Sequence, residues 1–213
     1  KQKTAYEIKE CDWSSDVCSS DLELVAWLPT LLQSKTLLYP EIAYPTYLVG
    51  GLIAKVKVNA VGFDASIWPS AELAWINSPS NPTGRISTDQ ELTAAVDWAR
   101  KNGVLVSDEC YLEFGSITKP KSILSFSGGD NRNLLALHSL SKRSSMAGYR
   151  AAMLIGDPDL ISRILEVRKH AGMMVPLPVQ QAMIAALSDS THVDRKSTCL
   201  NSSHIPLSRM PSS

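Results

Sequence analysis

LAWINSPSNPTGRISTDQELTAAVDWARKNGVLVSDECY, residues 73–111, holds two apolar runs with a helical pattern between them. LAWINSP and VLVSDECY are short, apolar and rich in β-favouring residues, so each reads as a strand. SNPTG, after the first run, is turn chemistry. TDQELTAAVDWARKNG is the clearest helix of the chain. Thr88 is placed to cap it, Glu91 follows three residues on as a capping box, and Gly103 reads as its stop. Two strands joined by a helix lie parallel in one sheet, because the helix carries the chain back to the starting edge.

The same alternation extends in both directions. LELVAWLPTLL (22–32) reads as a helix. TLLYP (36–40) and VKVNAV (56–61) read as strands, with the helix YLVGGLIAK (47–55) between them. LLALHSLS (134–141) and AAMLIGD (151–157) are further strands. DPDLISRILEVRKHA (157–171) is a helix that starts well, with Asp157 ahead of Pro158. VPLPVQQAMIAALSD (175–189) is the last helix. The fold class is therefore α/β: a mostly parallel sheet sandwiched by helices.

Composition narrows the function classes. The 213 residues balance 21 Lys and Arg against 21 Asp and Glu, with no basic stripe, which argues against a nucleic-acid partner. No run has the length of a membrane span, and no signal-peptide core is visible. Of four cysteines, only Cys110 lies in the patterned part of the chain. A disulfide framework and a cysteine metal site are both excluded, and a reducing, cytoplasmic setting is expected.

In parallel α/β sheets ligands sit beyond the carboxyl ends of the strands. Here those ends are rich in reactive groups. LAWINSP leads into Asn81, VLVS into Asp108 and Tyr111, and LLALH into Ser139, Ser141 and Lys142. If the strands are neighbours, an amine, a carboxylate, a phenol, an amide and two hydroxyls share one cleft with the Arg150 guanidinium. That set suits an aldehyde cofactor with a phosphate and a basic ring nitrogen. The alternative reading of S-L-S-K as an acylated Ser139 with Lys142 as base wants S-D-N and K-T-G partners, and neither occurs. His138 reads as a structural group, and Cys110 as a residue packed into the sheet.

NSPSNPTG (77–84), SDECY (107–111) and HSLSKRSSMAGYR (138–150) together resemble the class I/II aminotransferases, which use pyridoxal 5′-phosphate (PLP) on fold type I. The spacings match, with Asp to Tyr three apart, Ser to Lys three apart and Lys to Arg eight apart. The resemblance implies that Lys142 forms the Schiff base and shuttles the proton, and that Asp108 pairs with the ring nitrogen. It further implies that Asn81 and Tyr111 hold the phenolic oxygen, that Ser139, Ser141 and Arg150 hold the phosphate, and that Tyr44 stacks on the ring. Asn81–Pro82 is a candidate cis bond. AYPTY, SLSK with AGYR, and VRKHAGMMVP are most similar to N-succinyldiaminopimelate aminotransferases of lysine biosynthesis. Amino acid and 2-oxo acid substrates and a homodimer are then implied. Another fold type I enzyme, such as a different aminotransferase or a carbon–sulfur lyase, is the alternative.

The two ends read differently. DWSSDVCSSDL (12–22) and KQKTAYEI (1–8) resemble a translated sequencing adapter, and RKSTCLNSSH (195–204) with SRMPSS (208–213) resembles the opposite strand of it. One barcode, read on the two strands, accounts for residues 8–11 and 205–207. The expectation is that residues 1–22 and 194–213 are non-native segments that take no part in the packed domain, and that residues 23–193 are a partial PLP-binding large domain. The family's glycine-containing phosphate turn and its substrate-carboxylate arginine would then lie outside the chain, leaving a truncated and inactive product.

Overall fold

The computed structural model describes residues 15–18, 21–114, 118–189 and 191–193. Among the described residues, seven strands form one sheet: β1 (Ser15–Cys18), β2 (Thr36–Pro40), β3 (Lys57–Val61), β4 (Leu73–Asn77), β5 (Val104–Asp108), β6 (Leu134–Ser139) and β7 (Ala152–Gly156). Their order across the sheet is β1-β7-β6-β5-β4-β2-β3. Five consecutive strands, from the edge strand β3 through β2, β4 and β5 to β6, are all parallel. β7 runs antiparallel to β6. The connection from β6 to β7 contains only the one-turn helix α4 (Leu140–Arg143) and a 3₁₀ turn at Ala147–Tyr149. It has no crossover helix, so the chain returns in the opposite direction.

Five longer helices cover the sheet: α1 (Asp21–Leu31), α2 (Thr46–Ile53), α3 (Asp89–Lys101), α5 (Pro158–His170) and α6 (Leu177–Ser188). Alternation along the strands feeds two cores. Leu37, Leu73, Trp75, Val106, Leu135, Leu137 and Leu154 pack with Leu24, Val25 and Leu28 of α1, Tyr47 of α2, and Leu160 and Ile164 of α5. Leu38, Ala74, Leu105, Leu134 and Ala136 face the other way, onto Leu92, Ala95, Val96 and Ala99 of α3. Met153 and Ile155 pack with Val175 and Met183 at the end near α6. A strand buried on both faces needs apolar residues at successive positions, which is why these segments read as continuous runs.

Thr88 and Glu91 form the capping box, each side chain bonded to the other residue's backbone N–H. Gly103 acts differently from the expectation. Asn102 closes α3, and Gly103 is required because a Cβ there would lie 2.4 Å from the Ala71 carbonyl oxygen. Gly50 has the same role in α2, where a Cβ would lie 2.7 Å from the Val25 carbonyl oxygen of α1. The two helices are thereby held in close contact.

Within residues 1–22, which were expected to stay outside the packed domain, the structure describes two short segments. Ser15–Cys18 pairs antiparallel with β7, and Asp21 and Leu22 form the first turn of α1. The reason is that β7 would otherwise present a row of unpaired N–H and C=O groups, which any extended segment can meet through its own backbone. Residues 1–14, 19–20 and 194–213 lie outside the described residues.

Candidate cofactor cleft

The chain order reverses between β2 and β4, and the carboxyl ends of β4, β5 and β6 open beside that switch point. A cleft of about 280 Å³ lies there. Lys142, Asp108, Tyr111, Asn81, Ser141, Arg150 and Tyr44 all line it. The sequence picked these residues from four separate stretches, and the parallel register brings them together: Asn77 at the end of β4 sits opposite Asp108 at the end of β5.

Asn77, which the sequence reading passed over, organises the first wall. Its Nδ2 donates to the Asp108 carbonyl oxygen at 2.9 Å, and its Oδ1 accepts from the Asn81 N–H at 2.7 Å. The following loop turns through two cis bonds, Ser78–Pro79 and the expected Asn81–Pro82. Asn81 is left half-buried, facing the cleft.

Asp108 is the charged centre of the second wall. Its Oδ2 accepts from the Tyr47 hydroxyl at 2.5 Å and its Oδ1 from the Cys110 N–H at 3.1 Å. Burial pushes its pKa up; the bonds from Cys110 and Tyr47 oppose that, and the Asp21 charge adds to it. Cys110 is buried, as expected, and its thiol donates to Asp21 Oδ2 at 3.3 Å. Burial and the two neighbouring carboxylates push that thiol well above its ordinary value. Tyr111 is half-buried beside Phe114, with ring centroids 6.1 Å apart. Burial, above all, raises its phenol to about 12, so it is a proton donor at neutral pH.

Lys142 sits on α4, directly beyond β6, with Nζ 6.0 Å from the centre of the Tyr111 ring. Ser139 is the one expected site residue that does not line the cleft. It is buried and caps α4, its Oγ accepting the Ser141 N–H at 3.2 Å. Its hydroxyl therefore serves to set the turn that carries Lys142. Arg150 holds a left-handed backbone at φ 52°, and its Nη1 donates to the Ala147 carbonyl oxygen at 2.8 Å. His138 lies outside the cleft, with Nε2 3.1 Å from Oε2 of the buried Glu109. Glu109 also accepts the Ile123 N–H at 2.8 Å, so the pair braces the loop after β5.

Residues 42–207 match the family model for aminotransferase class I and II. The chain belongs to that family. Its members use PLP. Among curated relatives, it is 52% identical over 177 residues to a Mycobacterium tuberculosis protein named "Probable aminotransferase Rv1178", covering 80% of this chain and 42% of the relative. It is 48% identical over 181 residues to the 4-dedimethylamino-4-oxo-anhydrotetracycline transaminase OxyQ of Streptomyces rimosus, covering 82% and 50%. It is 31% identical to the LL-diaminopimelate aminotransferase of Aquifex aeolicus, covering 86% and 55%. Among solved structures, the aminotransferase AspB of Helicobacter pylori superposes with a TM-score of 0.76 at 30% identity, over 84% of this chain and 53% of that one. This class I/II chain thus spans about half the length of the relatives it matches. No group of acidic, histidine or cysteine residues among the described ones is arranged to hold a metal ion. No helix among them is long and apolar enough to cross a membrane.

Proposed function

We propose that this chain is the cofactor-binding part of a PLP-dependent aminotransferase that takes its amino group from glutamate. The acceptor we favour is N-succinyl-2-amino-6-oxopimelate, as in lysine biosynthesis. One observation carries the coarser reading: Asn81, Asp108, Tyr111 and Lys142, from the ends of three adjacent strands, line one cleft in a chain of this family.

The donor set fits the cofactor. Bound PLP supplies an aldehyde and an electron-withdrawing ring that stabilises charge at the substrate Cα. Lys142 is the amine that holds the aldehyde and then takes the proton from the substrate Cα. Asp108 offers a carboxylate to a ring nitrogen, and its charge keeps that nitrogen protonated. Tyr111, protonated at neutral pH, and the Asn81 amide donate to the phenolic oxygen. Arg150 and Ser141 hold the phosphate, Arg150 through charge-assisted bonds. Tyr44 covers a ring face. Ser139 acts on the site through the α4 cap.

The test is reduction of the PLP-treated chain with borohydride, followed by peptide mapping. The label is expected on Lys142 and absent from Lys142→Ala. A label elsewhere with Lys142 unmodified refutes the assignment.

The N-succinyl-2-amino-6-oxopimelate acceptor is supported by the AYPTY and VRKHAGMMVP strings, and a diaminopimelate-type reaction by the 31% identity to the Aquifex relative. A second reading, with a different oxo acceptor, is favoured by the higher identity to OxyQ. Loading the enzyme with glutamate and then offering each oxo compound separates the two. The working assembly in this reading is a homodimer in a reducing, cytoplasmic compartment, with no nucleic-acid or membrane partner.

A further inference from the structure

Tyr47 is not among the residues that sequence reasoning selected, yet it makes the shortest side-chain contact to the central carboxylate of the cleft. Its hydroxyl lies 2.5 Å from Asp108 Oδ2, and the residue is only 2% exposed. Its ring is packed on Trp75 of β4, centroids 5.3 Å apart and tilted by 49°. α2, which carries it, cannot slide easily, because Gly50 sits against the backbone of α1. The phenol is therefore held from three sides, by a strand, a helix contact and the carboxylate.

We propose that Tyr47 is a positioning residue of this site, which fixes the orientation of the Asp108 carboxylate and keeps it charged so that it can pair with a cationic ring nitrogen in the cleft. The inference rests on the role given to Asp108 above and adds a residue to it. Two donors meet the two oxygens of Asp108: Tyr47 takes one and the Cys110 N–H the other. With both held, the plane of the carboxylate is set, and with it the directions of the two lone pairs that remain. A single donor would leave the group free to turn about its Cβ–Cγ bond.

Charge is the second part of the argument. Burial favours the neutral form of Asp108, which cannot stabilise a ring cation. Asp21, from α1, pushes the same way. Cys110 and Tyr111 flank Asp108 on its own loop, and both are held in their neutral forms, above all by burial. Lys142, Arg150 and Tyr44 also line the cleft. Among the neutral groups, Tyr47 is placed to donate a proton-sharing bond to the charged form of Asp108. Burial and the Asp108 charge hold its own pKa well above the ordinary value, so it remains a donor through the neutral range.

The test begins without cofactor. The titration midpoint of Asp108 is read from its side-chain carboxyl ¹³C shift in the intact chain and in Tyr47→Phe. The variant removes one oxygen and keeps the ring against Trp75. The midpoint is expected to rise by about one pH unit or more, and an unchanged midpoint overturns the proposal. The second measurement is PLP affinity from absorbance titration. Tyr47→Phe is expected to weaken binding by about tenfold in the wild-type background and by less than about threefold in Asp108→Asn. Equal weakening in both backgrounds means that Tyr47 acts only through packing, and overturns the proposal. If Tyr47→Phe fails to fold, fluorotyrosine at position 47 replaces it as probe. The more acidic phenol is expected to lower the Asp108 midpoint, and a midpoint that stays put overturns the idea. Absence of PLP binding by the wild-type chain overturns the functional reading instead, and the carboxyl titration tells that failure apart from a failure of the Tyr47–Asp108 coupling.

Discussion

Asp108 shows what a single residue is asked to do. Its carboxylate is half-buried among a phenol, a thiol and a second carboxylate, and burial raises its pKa above the ordinary 3.8. The folded chain therefore binds the proton more readily than the unfolded chain. Stability is lost as the pH rises from about 3.8 through the folded value, because there the native state alone must give up a proton. Asp108→Asn has no such loss. Urea unfolding between pH 4 and pH 7 should show the cofactor-free variant gaining stability relative to wild type as the pH rises. A constant difference across that range would mean that Asp108 is not desolvated. The same physics places Asp21→Asn: removing that charge should lower the Asp108 midpoint, read by carboxyl NMR, and a rise would reverse the sign of the coupling.

At the scale of the element, α3 is the best test of the local rules. Thr88 and Glu91 satisfy each other's backbone N–H groups, and Glu91 also pairs with Arg85, whose guanidinium lies 3.8 Å from the centre of the Phe63 ring. Burial by itself would raise the Glu91 pKa, but the bonds from Arg85 and from the Thr88 N–H outweigh it and bring the value below 4.5. The contribution is therefore present above about pH 4.5 and fades as the pH falls through the folded value. Thr88→Ala should cost about 1 kcal/mol. Glu91→Ala should cost a similar amount at pH 7 and progressively less as the pH falls below 4.5, both read from urea midpoints. A pH-independent cost for Glu91→Ala would show that its charge contributes nothing. α4 is the contrasting element. It has four residues and is held by the buried Ser139 cap, so its existence was not legible as a helix in the sequence. The S-x-x-K spacing was legible, and it is the cap that converts the spacing into an orientation for Lys142.

For the whole molecule, the tie between distant ends of the chain is Arg168. It is fully buried on α5, pairs with Glu23 of α1 and donates to the Met173 carbonyl oxygen at 2.7 Å. Removing one partner of a buried ion pair strands the other charge, which typically costs about 3–5 kcal/mol. Glu23→Leu should destabilise by roughly that amount. Arg168→Met with Glu23→Leu should cost less than the single change, because no charge is left behind. A double-mutant cycle in urea measures this, and strict additivity would show that the two do not interact.

The sequence alone determined the alternation of strands and helices and the starts of two helices. These depend on periodicity and on groups within a few residues of each other, as in the Thr88–Glu91 box and the Asp157 start of α5. It also pointed to Asp108, Tyr111, Lys142 and Asn81, because strand ends in such sheets carry ligands and the spacings matched a family. Tertiary structure decided the rest. The direction of β7 depends on a connection with no crossover helix, which no pattern within β7 records. The pairing of Ser15–Cys18 uses backbone groups that every sequence possesses. That the Ser139 Oγ caps α4 through the Ser141 N–H depends on where β6 ends, which the S-x-x-K spacing does not record. Tyr47 sits 61 residues from Asp108, so only the tertiary fold, which lays its ring on Trp75 of β4, could bring a phenol to that carboxylate.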